Sequence, residues 1–133
     1  MIKKVDHIGI AVANLKEALK FYEETLGIKC TGVEEVAEQK VRTAFLPVGD
    51  TEIELLESTD PAGTIARFIE KRGEGIHHIA LRVDGIEAAL EKMKAAGIRL
   101  LDEVPRPGAG GARIAFLHPK DTGGVLIELT ERD

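Results

Sequence analysis

The sequence contains one internal repeat, and this repeat limits the possible folds more than any other feature of the chain. Three stretches of the first half recur in the second half, namely residues 6–12 in 77–83, 42–46 in 113–117, and 53–57 in 127–131. The first two pairs are 71 residues apart and the third is 74 apart, so the second copy has three extra residues. Loops accept insertions more readily than strands do. We therefore expect two copies of one structural module, with a longer hairpin in the second.

Each copy has the pattern of a strand, a helix and then further strands. In the first copy Asn14 is a good N-cap, apolar residues follow it at helical spacing, and Gly27 provides a stop signal. In the second copy Asp84 is the expected cap and Gly97 the expected stop. The strands that follow the two helices are predicted at residues 28–33 and 99–104.

The segment between the copies predicts a short connecting helix. A turn at residues 60–63 precedes Thr64, which we expect to cap a helix over residues 65–71. Two modules in a chain of 133 residues should share one core. The sequence therefore predicts an α+β fold of two repeated βαβββ modules in one domain, residues 1–133. Its parts are module one at about 1–58, the connecting helix at about 61–72, and module two at about 73–133.

Composition excludes several classes of protein. The net charge of −5 argues against non-specific binding to nucleic acid, which requires a basic surface. Cys30 is the only cysteine, so the chain cannot form an internal disulfide. The apolar run of a signal peptide is interrupted at Asp6 and His7, and no stretch reaches the length of a membrane span. We expect a cytoplasmic protein that binds neither nucleic acid nor a membrane.

The alternation of side chains along the predicted strands places four polar residues off the apolar face. Residues two apart in a strand share a face. In the first strand of each copy, the branched apolar residues occupy one face and a histidine, His7 or His78, occupies the other. In the last strand of each copy the same argument applies to Glu54 and Glu128. His77 lies on the same strand face as the apolar residues, so a structural hydrogen-bonding role suits it better than metal binding.

These four residues occupy equivalent places in the two copies, and their chemistry suits a metal. A carboxylate among strand hydrophobes is costly to bury unless a positive group pairs with it. Nearby arginines can serve, but two histidines and two carboxylates suit a divalent metal at least as well. A single histidine is more often structural than a ligand. The symmetric set of four favours a metal site.

At these residues the chain resembles the vicinal oxygen chelate superfamily, which includes glyoxalases, bleomycin resistance proteins and dioxygenases. The resemblance covers nearly the whole chain. Within the superfamily the sequence is most similar to the methylmalonyl-CoA epimerase family. The segments that carry this closer resemblance are residues 5–12, 73–80, 108–111, 116–120 and 123–129.

The resemblance implies a cupped, mostly antiparallel sheet around one metal site, in which His7, His78 and Glu128 are ligands and Glu54 supplies the fourth. Some epimerases have glutamine at the position of Glu54. Cobalt is the predicted ion, and manganese, nickel or zinc would also accept this ligand set. The family often forms pairs, so a homodimer is expected. No phosphate-binding motif is present, and no organic cofactor is predicted.

The activity implied is epimerisation of (2R)- and (2S)-methylmalonyl-CoA through a metal-stabilised enolate. Inversion at C2 requires a proton to leave one face and return to the other. The resemblance implies that Glu128 is one of the two bases. The family's second glutamate corresponds to Thr43 here, so Glu54, Glu52, a water or a mobile group must take that role. The predicted catalytic residues are Glu128 and Glu54.

The same fold is compatible with three other functions. A glyoxalase I-like isomerase would use the same four ligands, but no clear glutathione-binding pattern is present near the termini. An extradiol dioxygenase would use two histidines and one glutamate around iron, and such enzymes are generally longer. A metal-free small-molecule binding protein would lack the ligand set that this chain retains.

Overall fold

The computed structural model describes every residue from Met1 to Asp133. It contains eight strands and three α-helices. The strands are β1 (Ile2–Ala11), β2 (Gly32–Val36), β3 (Val41–Val48), β4 (Thr51–Ser58), β5 (Gly75–Val83), β6 (Arg106–Pro107), β7 (Arg113–Phe116) and β8 (Ile127–Glu131). The helices are α1 (Leu15–Leu19), α2 (Thr64–Arg72) and α3 (Ile86–Ala95). No helix is both long enough and apolar enough to cross a membrane.

The chain divides into two compact units. One consists of His7–His77, and the other combines Met1–Asp6 with His78–Asp133. We call them the first unit and the second unit. In the first unit the strand order is β2-β3-β4-β1, and in the second it is β5-β8-β7-β6. In each unit one strand pair is parallel, β1 with β4 and β5 with β8, and the other pairs are antiparallel. The α+β class, the two βαβββ modules and the mostly antiparallel pairing are thereby confirmed.

The apolar faces predicted from strand alternation form the cores. In the first unit the buried core residues are Val12, Leu15, Ala44, Leu46 and Leu55, and Ile10, Ala18, Leu19 and Tyr22 pack against them. In the second unit they are Val83, Ile86, Ala89, Leu90, Ala115, Leu117 and Leu129. The helix of each module therefore covers one face of its strands, and polar residues are left on the other face.

The first helix begins as the sequence predicts but changes its pitch. Asn14 Oδ1 accepts a hydrogen bond from the Glu17 amide at 3.0 Å, which confirms the N-cap. After Leu19 the chain continues as a π-helical turn over Lys20–Thr25, and Gly27 follows with a left-handed φ of 74°. The connecting helix also forms where predicted. Its cap is Gly63 rather than Thr64, and no side chain caps it.

The other predicted cap is also wrong. Helix α3 is preceded by Gly85, without a side-chain cap, because Asp84 lies one residue further out. The side chain of Asp84 forms an ion pair with Lys3 instead, at 3.2 Å.

The two strands predicted after the helices differ from the structure. Strand β2 begins only at Gly32, because the amides of Ile28 and Cys30 bond to the helix exit, at Tyr22 O and the Glu23 carboxylate. The strand predicted at 99–104 is absent, and only an isolated bridge joins Leu100 to Leu117. The short β6 follows at Arg106–Pro107. Pro105, just before β6, and Pro107, within it, have no amide hydrogen to extend a ladder.

Candidate metal and acid–base site

His7 and Glu54 form a buried pair in the first unit. Strands β1 and β4 are parallel, with His7 opposite Glu52 and Gly9 opposite Glu54. Because Gly9 has no side chain, the imidazole two residues away on the same face can reach the glutamate. His7 Nδ1 lies 3.3 Å from Glu54 Oε2. The two residues are only 4% and 2% exposed, so the pair is shielded from water.

His78 and Glu128 form the equivalent pair in the second unit. Strands β5 and β8 are parallel, and Ala80 takes the place of Gly9, directly opposite Glu128. His78 Nε2 lies 3.3 Å from Glu128 Oε1, and both residues are buried. The repeat therefore builds the same histidine–carboxylate arrangement twice, each time across a residue with little or no side chain.

The surroundings of Glu128 hold its carboxylate in place. The buried Thr130 hydroxyl donates a hydrogen bond to Glu128 Oε2, so one carboxylate oxygen is held by a hydroxyl and the other lies beside His78. Phe116, opposite Glu128 on β7, contacts the His78 ring edge to face, with ring centroids 5.4 Å apart. An aromatic ring and a hydrogen bond thus limit the motion of the imidazole and the carboxylate.

The donor chemistry of the two pairs fits a divalent metal ion. Each pair offers one imidazole nitrogen and one carboxylate oxygen, and all four residues are buried. A buried carboxylate is stabilised by a positive charge. Nitrogen and oxygen donors of this kind bind cobalt, manganese, nickel and zinc. His7, Glu54, His78 and Glu128 thus carry donor atoms of the kind that a divalent ion takes.

His77, His118 and Gly110 have structural contacts outside the two histidine–glutamate pairs. His77 packs edge to face on Phe68, with centroids 5.0 Å apart, in keeping with a structural role. His118 Nδ1 accepts a hydrogen bond from the Lys120 amide at 3.2 Å and caps a short turn. Gly110 adopts φ +69°, and a Cβ there would lie 2.9 Å from the Arg132 guanidinium. That glycine shapes a turn onto which Arg132 packs.

One buried charge cluster was missed by the sequence analysis. Asp6 is 3% exposed and is held by two arginines. Arg82 Nε donates to Asp6 Oδ2 at 2.9 Å, and Arg132 bonds both carboxylate oxygens at 3.0 Å. The acidic residue at the start of the first repeated stretch was the available signal.

Thr43, which corresponds to the family's second glutamate, lies in the middle of β3. It is completely buried, and its Oγ1 has no hydrogen-bond partner. Phe45 is opposite Glu54 in the β3–β4 pair, and Thr43 lies two residues from Phe45. Thr43 and Glu54 therefore share one face of the sheet of the first unit.

Comparison with known proteins places the chain in a family. Residues 6–116 match the Glyoxalase/Bleomycin resistance protein/Dioxygenase superfamily. The match spans most of the chain, and the chain belongs to this superfamily.

Within the superfamily the chain is similar to proteins named methylmalonyl-CoA epimerase. The mitochondrial human enzyme of that name is 40% identical over 96% of this chain and 73% of its own length. The crystal structure of the Mycobacterium tuberculosis enzyme is 40% identical, with a TM-score of 0.95 over 99% of this chain and 89% of that one. A methylmalonyl-CoA epimerase in complex with methylmalonyl-CoA and NH4+ is 38% identical, with a TM-score of 0.93 over 98% and 95% of the two chains.

Proposed function

We propose that this protein is a methylmalonyl-CoA epimerase that interconverts (2R)- and (2S)-methylmalonyl-CoA by proton transfer at C2. The observation that carries the proposal is the pair of buried histidine–glutamate contacts, His7 with Glu54 and His78 with Glu128, in a chain about 40% identical to named epimerases over nearly its full length.

We further propose that His7, Glu54, His78 and Glu128 together bind one divalent ion. Either pair alone supplies two protein donors, which is fewer than the three or four of ordinary protein metal sites. Cobalt is the proposed ion, and manganese, nickel and zinc fit the same donors. When bound, the ion supplies positive charge that stabilises negative charge developing on the thioester oxygen of the substrate.

Glu128 is the proposed base. The C2 hydrogen of methylmalonyl-CoA lies between a carboxylate and a thioester carbonyl, and its removal leaves an enolate. Glu128 takes this proton, and Thr130 holds the carboxylate in one orientation through its hydrogen bond to Oε2. Return of a proton to the opposite face of C2 gives the other epimer. Glu54 is one sequence-based candidate for that second transfer, beside Glu52, a water and a mobile group.

The proposal is tested by incubating purified protein with (2R)-methylmalonyl-CoA in deuterated water. We expect incorporation of deuterium at C2 together with formation of the (2S) epimer. Activity should disappear after chelation and return with a divalent ion. Neither exchange nor epimerisation by protein loaded with each of the four metals would refute the proposal.

The same preparation separates the alternatives. A glyoxalase I-like isomerase would instead convert the hemithioacetal of methylglyoxal and glutathione. A metal-free binding protein would contain no stoichiometric metal and would turn over neither substrate. Metal analysis of the purified protein therefore distinguishes a metal-free binding protein from either isomerase.

We also propose that the protein is a cytoplasmic homodimer that binds neither nucleic acid nor a membrane. The dimer follows from the frequency of pairing among small proteins of this family and of two-fold oligomers in general. Light scattering at micromolar concentration should give twice the mass of 14.4 kDa. A monomer mass would refute it.

A further inference from the structure

The hydroxyl of Thr43 is buried without a partner, which is unusual for a polar group. The residue is 0% exposed, and Oγ1 makes no hydrogen bond. Most buried polar side-chain atoms are hydrogen-bonded, and an unmet one destabilises the folded state. Valine has nearly the same shape and would avoid this cost. The hydroxyl therefore has its donor available for a partner from outside the chain.

Strand pairing places this hydroxyl on the face that carries the His7–Glu54 pair. Thr43 is opposite Leu56 on β4, two residues beyond Glu54. Diagonal neighbours of this kind are about 7–8 Å apart, within reach of one bound acyl group. Thr43 therefore lies next to Glu54 along the sheet and faces the same side.

The polar neighbours of Thr43 on this face are acceptors rather than donors. Glu34 is directly opposite Thr43 on β2, and Glu54 is its diagonal neighbour on β4. Carboxylates repel the negatively charged oxygens of a malonyl group, whereas a hydroxyl is a neutral donor. Thr43 is thus suited to contact an acyl oxygen on this side of the site.

We propose that Thr43 Oγ1 donates a hydrogen bond to an acyl oxygen of the bound CoA thioester and so orients its C2. The inference rests on the proposed function and assigns a substrate contact that the four candidate metal ligands do not provide. Threonine is not among the side chains that ordinarily transfer protons in acid–base catalysis. Its role is therefore contact and orientation rather than proton transfer.

The test compares Thr43→Val, which removes only the hydroxyl, with Thr43→Ser, which keeps it. Thr31→Val is the matched control, because Thr31 is exposed and its hydroxyl lies at 3.4 Å from Phe45 O. Thr43→Val should melt at the same temperature as the wild type or higher, since an unpaired hydroxyl is lost. Its kcat/KM for methylmalonyl-CoA should fall about tenfold or more, the loss expected for one hydrogen bond to a charged group. Thr43→Ser and Thr31→Val should stay near the wild-type value.

Dissociation constants separate the failure of this inference from failure of the proposed function. Thr43→Val should weaken binding of methylmalonyl-CoA but not of CoA itself, which lacks the malonyl group. If the wild type epimerises and Thr43→Val matches it in kcat/KM and in affinity, the inference is wrong and the function stands. If the wild type does not epimerise, the function fails, and the hydroxyl contact survives only if Thr43→Val still binds the thioester more weakly. If wild type and Thr43→Val bind the thioester equally, or if neither binds it, the proposed hydroxyl contact is wrong. Should Thr43→Val not fold, Thr43→Ala is expected to show the same loss of affinity.

Discussion

His78 Nε2 and Glu128 Oε1 lie 3.3 Å apart on neighbouring parallel strands, across the small side chain of Ala80. The first unit has the equivalent pair across Gly9, in which the other ring nitrogen, His7 Nδ1, lies 3.3 Å from Glu54 Oε2. A parallel pair sets the register, and a small residue opposite the glutamate leaves room for the imidazole. Each copy of the repeat thereby provides one nitrogen and one oxygen donor in a buried setting.

The first prediction separates the base from the ligands. Glu128→Gln should reduce kcat by about a hundredfold or more, because an amide cannot accept the C2 proton. It should keep much of its metal, since the amide oxygen can still bind an ion. His7→Ala should lose metal and activity together. Metal content and steady-state rates measured on the same samples check this, and normal turnover by metal-loaded Glu128→Gln would remove Glu128 from the mechanism.

The second prediction concerns Glu54. We expect Glu54→Gln to retain both metal and epimerase activity, since the resemblance places glutamine at this position in some relatives and its oxygen can serve as a ligand. The measurement is metal content beside the rate of C2 deuterium exchange. A metal-loaded but inactive variant would contradict the expectation and would assign the second proton transfer to Glu54.

The third prediction concerns the stability provided by Asp6. Asp6→Ala removes the carboxylate that pairs with Arg82 and Arg132 in a partly buried cluster. The free energy of unfolding should fall by about 2–4 kcal/mol, somewhat less than a fully buried pair would cost because both arginines are partly exposed. Urea denaturation measures it.

The control for Asp6 is the exposed ion pair of Lys3 with Asp84 in the same unit. Both side chains are more than half exposed, at 55% and 58%. Exposed pairs contribute little, so Asp84→Asn should leave the denaturation midpoint unchanged. Equal effects of Asp6→Ala and Asp84→Asn would show that the Asp6 cluster does not stabilise the fold.

The fourth prediction is a pH dependence. Hydrogen bonds from the Arg99 side chain and amide lower the pKa of Asp121 from 3.8 to about 2. A depressed pKa contributes stability that is present above pH 3.8 and is lost as the pH falls towards 2. The stability difference between wild type and Asp121→Asn should therefore be constant near neutrality and shrink between about pH 4 and 2.

Urea denaturation at a series of pH values checks this, with Glu24→Gln as a control for the loss of one exposed carboxylate. Glu24 lies in the π-helical turn after α1 and is exposed. A wild-type advantage over Asp121→Asn that persists unchanged at pH 2 would contradict the linkage.

The sequence by itself determined the repeat, the module and the faces of its strands. Alternation in a strand has a period of two residues, so the apolar residues of β1 and β5 fix the direction of His7 and His78 without tertiary information. The same reasoning put Glu54 and Glu128 on the polar faces, and each lies beside its histidine. That the four bind one ion stays a prediction.

Tertiary structure decided the features that depend on partners distant in the chain. Asp6 is held by arginines 76 and 126 residues away, and no local pattern indicates that pairing. Residues 99–104 form a strand only if a neighbouring strand can pair with them. Pro105, Pro107 and the bond from Arg99 N to the Asp121 side chain interrupt that pairing. The isolation of the Thr43 hydroxyl is likewise a property of its surroundings. Local periodicity determines which way a side chain points, and only the folded chain determines what it meets there.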